Sequence, residues 1–251
     1  GYDPKAMGEM FENMAALRRF YGDNIPEFLL THPISSTRVS DAFNAADQLG
    51  DIGGIRNSIN YRLIKGRLEA DYEELPINAI RIFEKKVANN DNIENIYGYS
   101  RALFLNGRFN DSLLQIDKLL KIHPKNLILN TTKVEILRES KRYDEALILV
   151  NAQLEISPKN YPLSVEKVKV LRGLKKTIAA EEILRDILLR RNSDPSLWFL
   201  LSEIQKDNLN VAGYHQSRAE YFILLGQNER ALNELQFALK LSQDNFQTFE
   251  I

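Results

Sequence analysis

Apolar residues along this chain recur mostly at intervals of three and four, the spacing of one face of an α-helix. The first stripe is Met7, Met10, Phe11, Met14, Leu17 and Tyr21. Asp3-Pro4 opens it, an acceptor side chain before a proline whose missing N–H costs nothing in a first turn, and Gly22 closes it. All three methionines lie here, and the spacing predicts that they pack into a core. From Ile25 to Pro33 a proline near each end disfavours a regular helix and predicts a rigid apolar loop. A second helix, capped by Ser35 or Ser36, is expected to bury Val39, Ala42, Phe43, Ala46 and Leu49 and to stop at Gly50. Gly50, Gly53 and Gly54 then mark a boundary, so residues 1–54 and 55–251 are expected to form separate domains.

From about Asn57 the stripes come in pairs. Tyr61, Leu63, Ile64 and Leu68 are expected inside on one helix, and Ala79, Ile80, Phe83 and Val87 on the next, after a break near Leu75-Pro76. Farther on, His123-Pro124-Lys125-Asn126 returns as Ser157-Pro158-Lys159-Asn160, 34 residues later. The same offset carries Phe109 onto Tyr143, Leu113 onto Leu147 and Ile116 onto Val150. A period of 34 is the tetratricopeptide spacing. Its unit is a pair of antiparallel helices that cannot cover its own apolar face and therefore stacks on its neighbours. Ser100, Ser112, Ala146 and Ala180 stand where small residues let the paired helices approach, and Gly107 and Gly226 where a helix end favours positive φ. After the fourth pair the period is expected to slip. Asp194-Pro195 opens a helix with Trp198 and Leu201, Asp207 to Gly213 reads as a longer linker, and residues from Ala219 through Gly226 to Ala238 rebuild one last pair. Helices this short are marginal alone in water, so stacking must hold them and the ends of the array should fray first.

Composition narrows the function classes. The 251 residues are 44% hydrophobic and 27% charged, and no apolar run approaches the ~20 residues of a membrane-spanning helix. Thirty-three basic residues against 34 acidic ones, without a long basic block, leave no phosphate-neutralising stripe for nucleic acid. The absence of cysteine excludes a disulfide scaffold and a thiolate metal site. There is no glycine-rich phosphate loop and no Gly-x-Ser-x-Gly elbow. His32, His123 and His215 lie about ninety residues apart, so no i,i+4 pair can hold zinc. His123 and His215 read as solvated residues, whereas His32 sits between prolines in the apolar loop, ahead of Arg38. Gly1-Tyr2-Asp3-Pro4 reads as neither a signal peptide nor an initiator start, and the chain is expected to be cut at both ends.

Gly1-Tyr2-Asp3-Pro4, then Pro26-x-Phe28-Leu29-x-Thr31-His32-Pro33, then Arg38, resemble the end of the peptidase domain of bacterial secreted zinc metallopeptidases, gluzincins that carry a C-terminal tetratricopeptide domain. The resemblance implies an all-α chain, a tetratricopeptide solenoid preceded by a short helical remnant of the peptidase domain. It also implies a periplasmic parent with zinc as cofactor, acting on outer-membrane β-barrel proteins and their assembly machinery as endopeptidase and chaperone. The family's His-Glu-x-x-His helix is absent here, so the fragment is expected to bind protein and to lack catalysis. On the same footing His32 would be a regulatory fourth zinc ligand in the parent, displacing the catalytic water. Arg38 would touch substrate or pair with Asp41 or Glu27.

Two readings of the repeats stay open beside a purely structural spacer. In the first, the first helix of each pair lines a concave groove that presents Tyr97, Arg101, Thr131, Glu135, Arg138, Lys169 and Arg172, a polar wall of basic tilt suited to an extended or partly folded chain. In the second, the chain is a free-standing adaptor or co-chaperone, and Asn126, Asn130 and Lys133 form part of a clamp for a peptide carboxylate.

Overall fold

The structure, a computed structural model, describes residues 3–21, 36–50, 54 and 58–241, with backbone alone for 17–21. It divides into two compact units, Gly1–Arg62 and Leu63–Ile251. Among the described residues every regular element is a helix.

The first unit holds α1 (Lys5–Tyr21) and α2 (Ser36–Gln48). Asp3 caps α1 by accepting from the Lys5 N–H at 2.9 Å. The contact between the two helices is made where there is no side chain to obstruct it: a Cβ on Gly8 would lie 2.7 Å from the Phe43 ring. Met7 and Met10 are 53% and 46% exposed, so the methionine stripe is not the packed core that its spacing predicted. In this unit Gly8 and Ala46 occupy the buried face instead, and Leu49, expected inside, is exposed. Gly50 ends the segment with φ +68°, as a stop residue should.

The second unit is a stack of helical hairpins: α3 (Ile59–Asp71) with α4 (Pro76–Asn89), α5 (Ile93–Leu105) with α6 (Phe109–Ile122), α7 (Leu127–Glu139) with α8 (Tyr143–Ile156), α9 (Tyr161–Gly173) with α10 (Thr177–Leu188), and α11 (Pro195–Asp207) with α12 (Val211–Leu224). A last helix, α13 (Asn228–Leu241), packs on α12. This is an all-α tetratricopeptide solenoid. First helices begin at 59, 93, 127, 161 and 195, an unbroken step of 34. The expected slip after the fourth pair does not occur, and the expected long linker is only Asn208-Leu209-Asn210.

Two local devices keep that phase. Asn92, Asn126 and Asn160 each accept a hydrogen bond from the backbone N–H three residues on, and Asp194 from that of Ser196, so four first helices start on a capping side chain. At the other end, the amides of Arg108, Arg142, Lys176 and Asn210 reach back five residues to the carbonyls of Leu103, Leu137, Leu171 and Gln205, the long bond of a Schellman turn. The residue at the apex has φ of +72° at Gly107, +62° at Lys141, +61° at Lys175 and +61° at Leu209. Gly226 repeats the turn, with φ +71°, only 17 residues after Leu209. Half a period therefore separates the last two turns, and α12 closes one hairpin while it opens another. That is the physical content of the irregularity visible in the sequence.

Small residues seal the hairpins. Ser100 and Ser112 are buried face to face, Oγ to Oγ at 2.9 Å, and the Ser112 hydroxyl reaches the Ser100 carbonyl at 2.8 Å. Ala146 and Ala180 are fully buried at the equivalent places. On α3 the buried residues are Leu63, Gly66 and Ala70, whereas Tyr61, Ile64 and Leu68 are about half exposed, against expectation. The reason is backbone approach: Gly66 lies so close to the Glu94 carbonyl that contact runs through the small face of the helix, not its larger apolar stripe.

Candidate functional site

The first helices put one row of charged residues side by side. Each repeat presents a charge at the ninth position of its first helix, Arg67, Arg101, Glu135, Lys169 and Glu203, and others one turn later. Their side chains link helix to helix. Arg101 Nε meets Asp71 at 2.6 Å on α3 and reaches Glu135 on α7 at 3.5 Å. Arg138 Nε donates to Glu166 on α9 at 2.8 Å, and Arg172 on α9 binds Asp207 at 2.6 Å and Glu203 at 3.2 Å on α11. Lys169 shares Glu166 at 2.8 Å. An ion-pair ladder thus runs from α3 to α11, with at least one acid or base contributed by every first helix. Burial disfavours the charge on Arg138, but Glu166 and Glu139 outweigh it and hold the pKa above its ordinary value. At Arg172 burial is likewise outweighed by Asp207 and Glu203.

Five of the seven groove residues named from the sequence, Arg101, Glu135, Arg138, Lys169 and Arg172, belong to this ladder. The other two stand apart from it. Tyr97 is 1% exposed; burial pushes its hydroxyl pKa up, and the hydroxyl is hydrogen-bonded to Thr132 Oγ1 at 2.7 Å. Thr131 spends its hydroxyl on the Leu127 carbonyl of its own helix at 2.8 Å. The expected basic tilt is also reduced, because carboxylates answer all three arginines. Repeat phase alone could not show that Tyr97 is buried, since a step of one position separates the inner face from the core.

One part of the row stays cationic. Where the ends of α7 and α9 face α11, Arg138, Lys169, Arg172, Lys141 and Lys175 line a cavity of about 660 Å³ against two carboxylates, Glu139 and Asp207. Lys141 and Lys175 make no ion pair among the described residues, and both project from the positive-φ apex of a Schellman turn. Tyr143 forms the back of the recess, its ring lying against Gly173, where a Cβ would come within 2.3 Å. The arrangement is an open, net-positive recess able to hold a carboxylate without breaking the ladder behind it.

The carboxylate clamp imagined at Asn126, Asn130 and Lys133 is not assembled. Asn126 caps α7, Asn130 is buried and donates to the Pro124 and Asn126 carbonyls at 2.9 Å, and Lys133 is paired with Asp117 at 2.7 Å. All three are occupied in holding the repeat together. His32 lies outside the described residues, as does its apolar loop. Arg38 is exposed on α2. No group of three or more His, Cys, Asp or Glu that could hold a metal ion exists among the described residues.

Sequence reasoning missed a cluster at the far end. His215, read as a solvated residue, is bonded through Nδ1 to Glu234 at 2.6 Å and stacks on Phe237. Beside it the Arg218 guanidinium lies 4.8 Å from the centre of the Phe222 ring and 5.8 Å from those of Phe199 and Tyr221. The signal available was the density of aromatics between 198 and 237, without a repeat phase to align it.

No protein-family profile matches the chain. Over 67 residues, 27% of this chain and 13% of the relative, it is 37% identical to the beta-barrel assembly-enhancing protease of Escherichia coli (strain K12). The match therefore spans about an eighth of that relative's length. Among solved structures, a thermophilic tetratricopeptide repeat protein of Thermus thermophilus superposes with a TM-score of 0.56 at 19% identity, covering 73% of this chain and 100% of that one. A tetratricopeptide repeat protein of Parabacteroides merdae ATCC 43184 superposes with a TM-score of 0.52 at 12% identity, covering 96% and 97%. The fold is thus that of tetratricopeptide repeat proteins, in a chain that resembles the protease over part of its length. No helix among the described residues is long and apolar enough to cross a membrane.

Proposed function

We propose that the repeat array is a protein-binding scaffold, and that the recess between α7, α9 and α11 receives acidic side chains of an extended or partly folded client. The observation that carries this is the pair Lys141 and Lys175, two cations without counter-ions among the described residues, beside a ladder in which the neighbouring arginines have theirs. Charge of one sign at the mouth of a recess accelerates encounter and selects carboxylates.

Within that reading, the partial likeness to the assembly-enhancing protease supports a place for the chain in a periplasmic zinc endopeptidase and chaperone that handles outer-membrane β-barrel proteins. The array would recruit the client, residues 1–54 would be the end of the peptidase domain, and zinc would be held by parts of that protein outside the described residues. His32 would be the regulatory ligand of that zinc, and Arg38 a contact to substrate.

The binding test uses the whole chain and an unfolded outer-membrane β-barrel protein as probe. Lys141→Glu/Lys175→Glu should weaken binding by about tenfold or more, with helicity and melting unchanged, and raised salt should weaken the parent chain in the same direction. Unaltered affinity in the double variant would remove the recess from client binding.

A further inference from the structure

A second cavity, of about 350 Å³, lies elsewhere in the array, and it shares no lining residue with the ladder or the recess. Its floor is apolar, made by Leu154 at the end of α8 and by Ile183 and Ile187 on α10. One wall is Tyr161, held at both ends: its hydroxyl donates to Asp194 at 2.8 Å, and the Arg191 guanidinium lies 4.2 Å from its ring centre. Lys159 and Lys167 also line it, as does Asp186, whose carboxylate is paired with Arg190, so the lining remains net positive.

Comparison with neighbouring repeats shows why this gap is open. Ser164 lines it, and the equivalent residues one repeat earlier and later are Asn130 and Trp198. Asn130 fills its own site and is tied to the Pro124 carbonyl at 2.9 Å, while the Trp198 indole N–H donates to the Asn192 carbonyl at 2.7 Å. Serine is the smallest of the three and leaves the space unfilled. The charge pattern changes at the same place. One repeat earlier Lys133 is neutralised by Asp117 at 2.7 Å, but the residue equivalent to Asp117 is Asn151, and Lys167 makes no ion pair among the described residues. Asn151 Oδ1 is itself buried with no hydrogen-bond partner. The repeat with the smallest residue at this position is thus also the one whose lysine lacks the carboxylate that balances Lys133.

We infer that this cavity is a second peptide-binding site, which takes a large apolar side chain of an acidic linear segment, with flanking carboxylates on Lys159 and Lys167. The volume is at the small end of ligand pockets and suits one aromatic or branched side chain. Complementarity of charge with this lining favours an acidic polypeptide over a neutral one. The site is independent of the recess on the first-helix face.

The probe is a fluorescent peptide, Ser-Asp-Glu-Phe-Glu-Asp-Ser, titrated with the full chain. Saturable binding is expected, weakened about tenfold or more by Ser164→Trp, which restores the plug of the following repeat, and by Lys167→Glu. Ser164→Asn, which copies the preceding repeat, is the gentler variant should the tryptophan disturb folding. Because the recess also takes carboxylates, the discriminating quantity is the preference for this peptide over its alanine-for-phenylalanine version: Ser164→Trp should abolish that preference and Lys141→Glu/Lys175→Glu should leave it intact, which separates failure here from failure of the client-binding recess. The inference is overturned by a peptide with alanine for phenylalanine binding equally well, by a preference that follows Lys141 and Lys175 instead of Ser164, or by no saturation at all. Displacement of the peptide by an equal concentration of laurate would assign the cavity to a free amphiphile and equally overturn it.

Discussion

Gly107, Lys141, Lys175 and Leu209 occupy one place in four successive repeats and adopt one conformation, yet only the first is free of a Cβ penalty there. A Cβ at Gly107 would meet nothing within 4 Å, so Gly107→Ala isolates the backbone term and should cost about 1 kcal/mol in a denaturant melt. Leu209 is 85% exposed and loses almost no packing when truncated. Leu209→Gly should therefore gain stability of about 0.5–1 kcal/mol, and loss of stability would show that the leucine makes a contact on that surface. Asp194 offers a pH-dependent case. The hydrogen bond from Ser196 comes first, with Tyr161 adding to it, in holding its carboxyl below the usual range despite partial burial. A depressed carboxylate stabilises the fold above its unfolded pKa of about 4 and loses that contribution as pH falls through the folded value. Asp194→Ala should cost about 1 kcal/mol near neutrality, and the gap between parent and variant should narrow in acid; a gap independent of pH would deny the ionised cap.

Between elements, the closest approaches decide more than helix propensity. Gly66 in the interior of α3 is a poor helix former, and alanine there would gain about 1 kcal/mol in an isolated helix. In the array a Cβ would sit 2.3 Å from the Glu94 carbonyl oxygen, which is backbone and cannot rotate away. Gly66→Ala should thus destabilise by about 1–3 kcal/mol, read as a lowered melting temperature with unchanged helical content; a rise would mean that propensity wins. The ladder makes a similar point in charge. Glu166 is only 10% exposed along its side chain and is bound by Arg138 on the neighbouring first helix and by Lys169 on its own, each at 2.8 Å. Arg138→Ala would leave that carboxylate to Lys169 alone and should cost about 1–3 kcal/mol, whereas an exposed i,i+4 pair such as Arg190 and Asp186 should be worth much less.

At the scale of the repeat array, stability is a sum of repeats and the interfaces between them. The middle hairpins share one continuous core from Leu63 through Val150 to Val170, while α13 buries only Ala231 and Ala238 fully. Hydrogen exchange should accordingly be slowest in α5 to α9 and fastest in α13. Uniform protection across the array would contradict that gradient. The two cavities share no lining residue, so the two proposed sites can be tested one at a time.

Period and helix class were legible in the residues themselves, because the four-residue match around 123 and 157 marks a local turn that needs no distant partner; that Asn126 and Asn160 within it cap helices came only from their bonds to the Leu129 and Leu163 amides. Ser100 and Ser112 were legible too, since their size alone marked a close approach. What a residue does on a surface depended instead on its neighbours in space. Repeat phase put Arg101 and Arg138 in one row but could not show that Asp71 and Glu166 neutralise them, nor that Tyr97 turns inward to Thr132. The unbroken step of 34 through Leu209 and the double use of α12 also emerged only from backbone geometry, since no glycine marks that turn. Local order is written in short spacings, whereas the two cavities arise from what adjacent repeats leave unfilled, a property no single repeat carries.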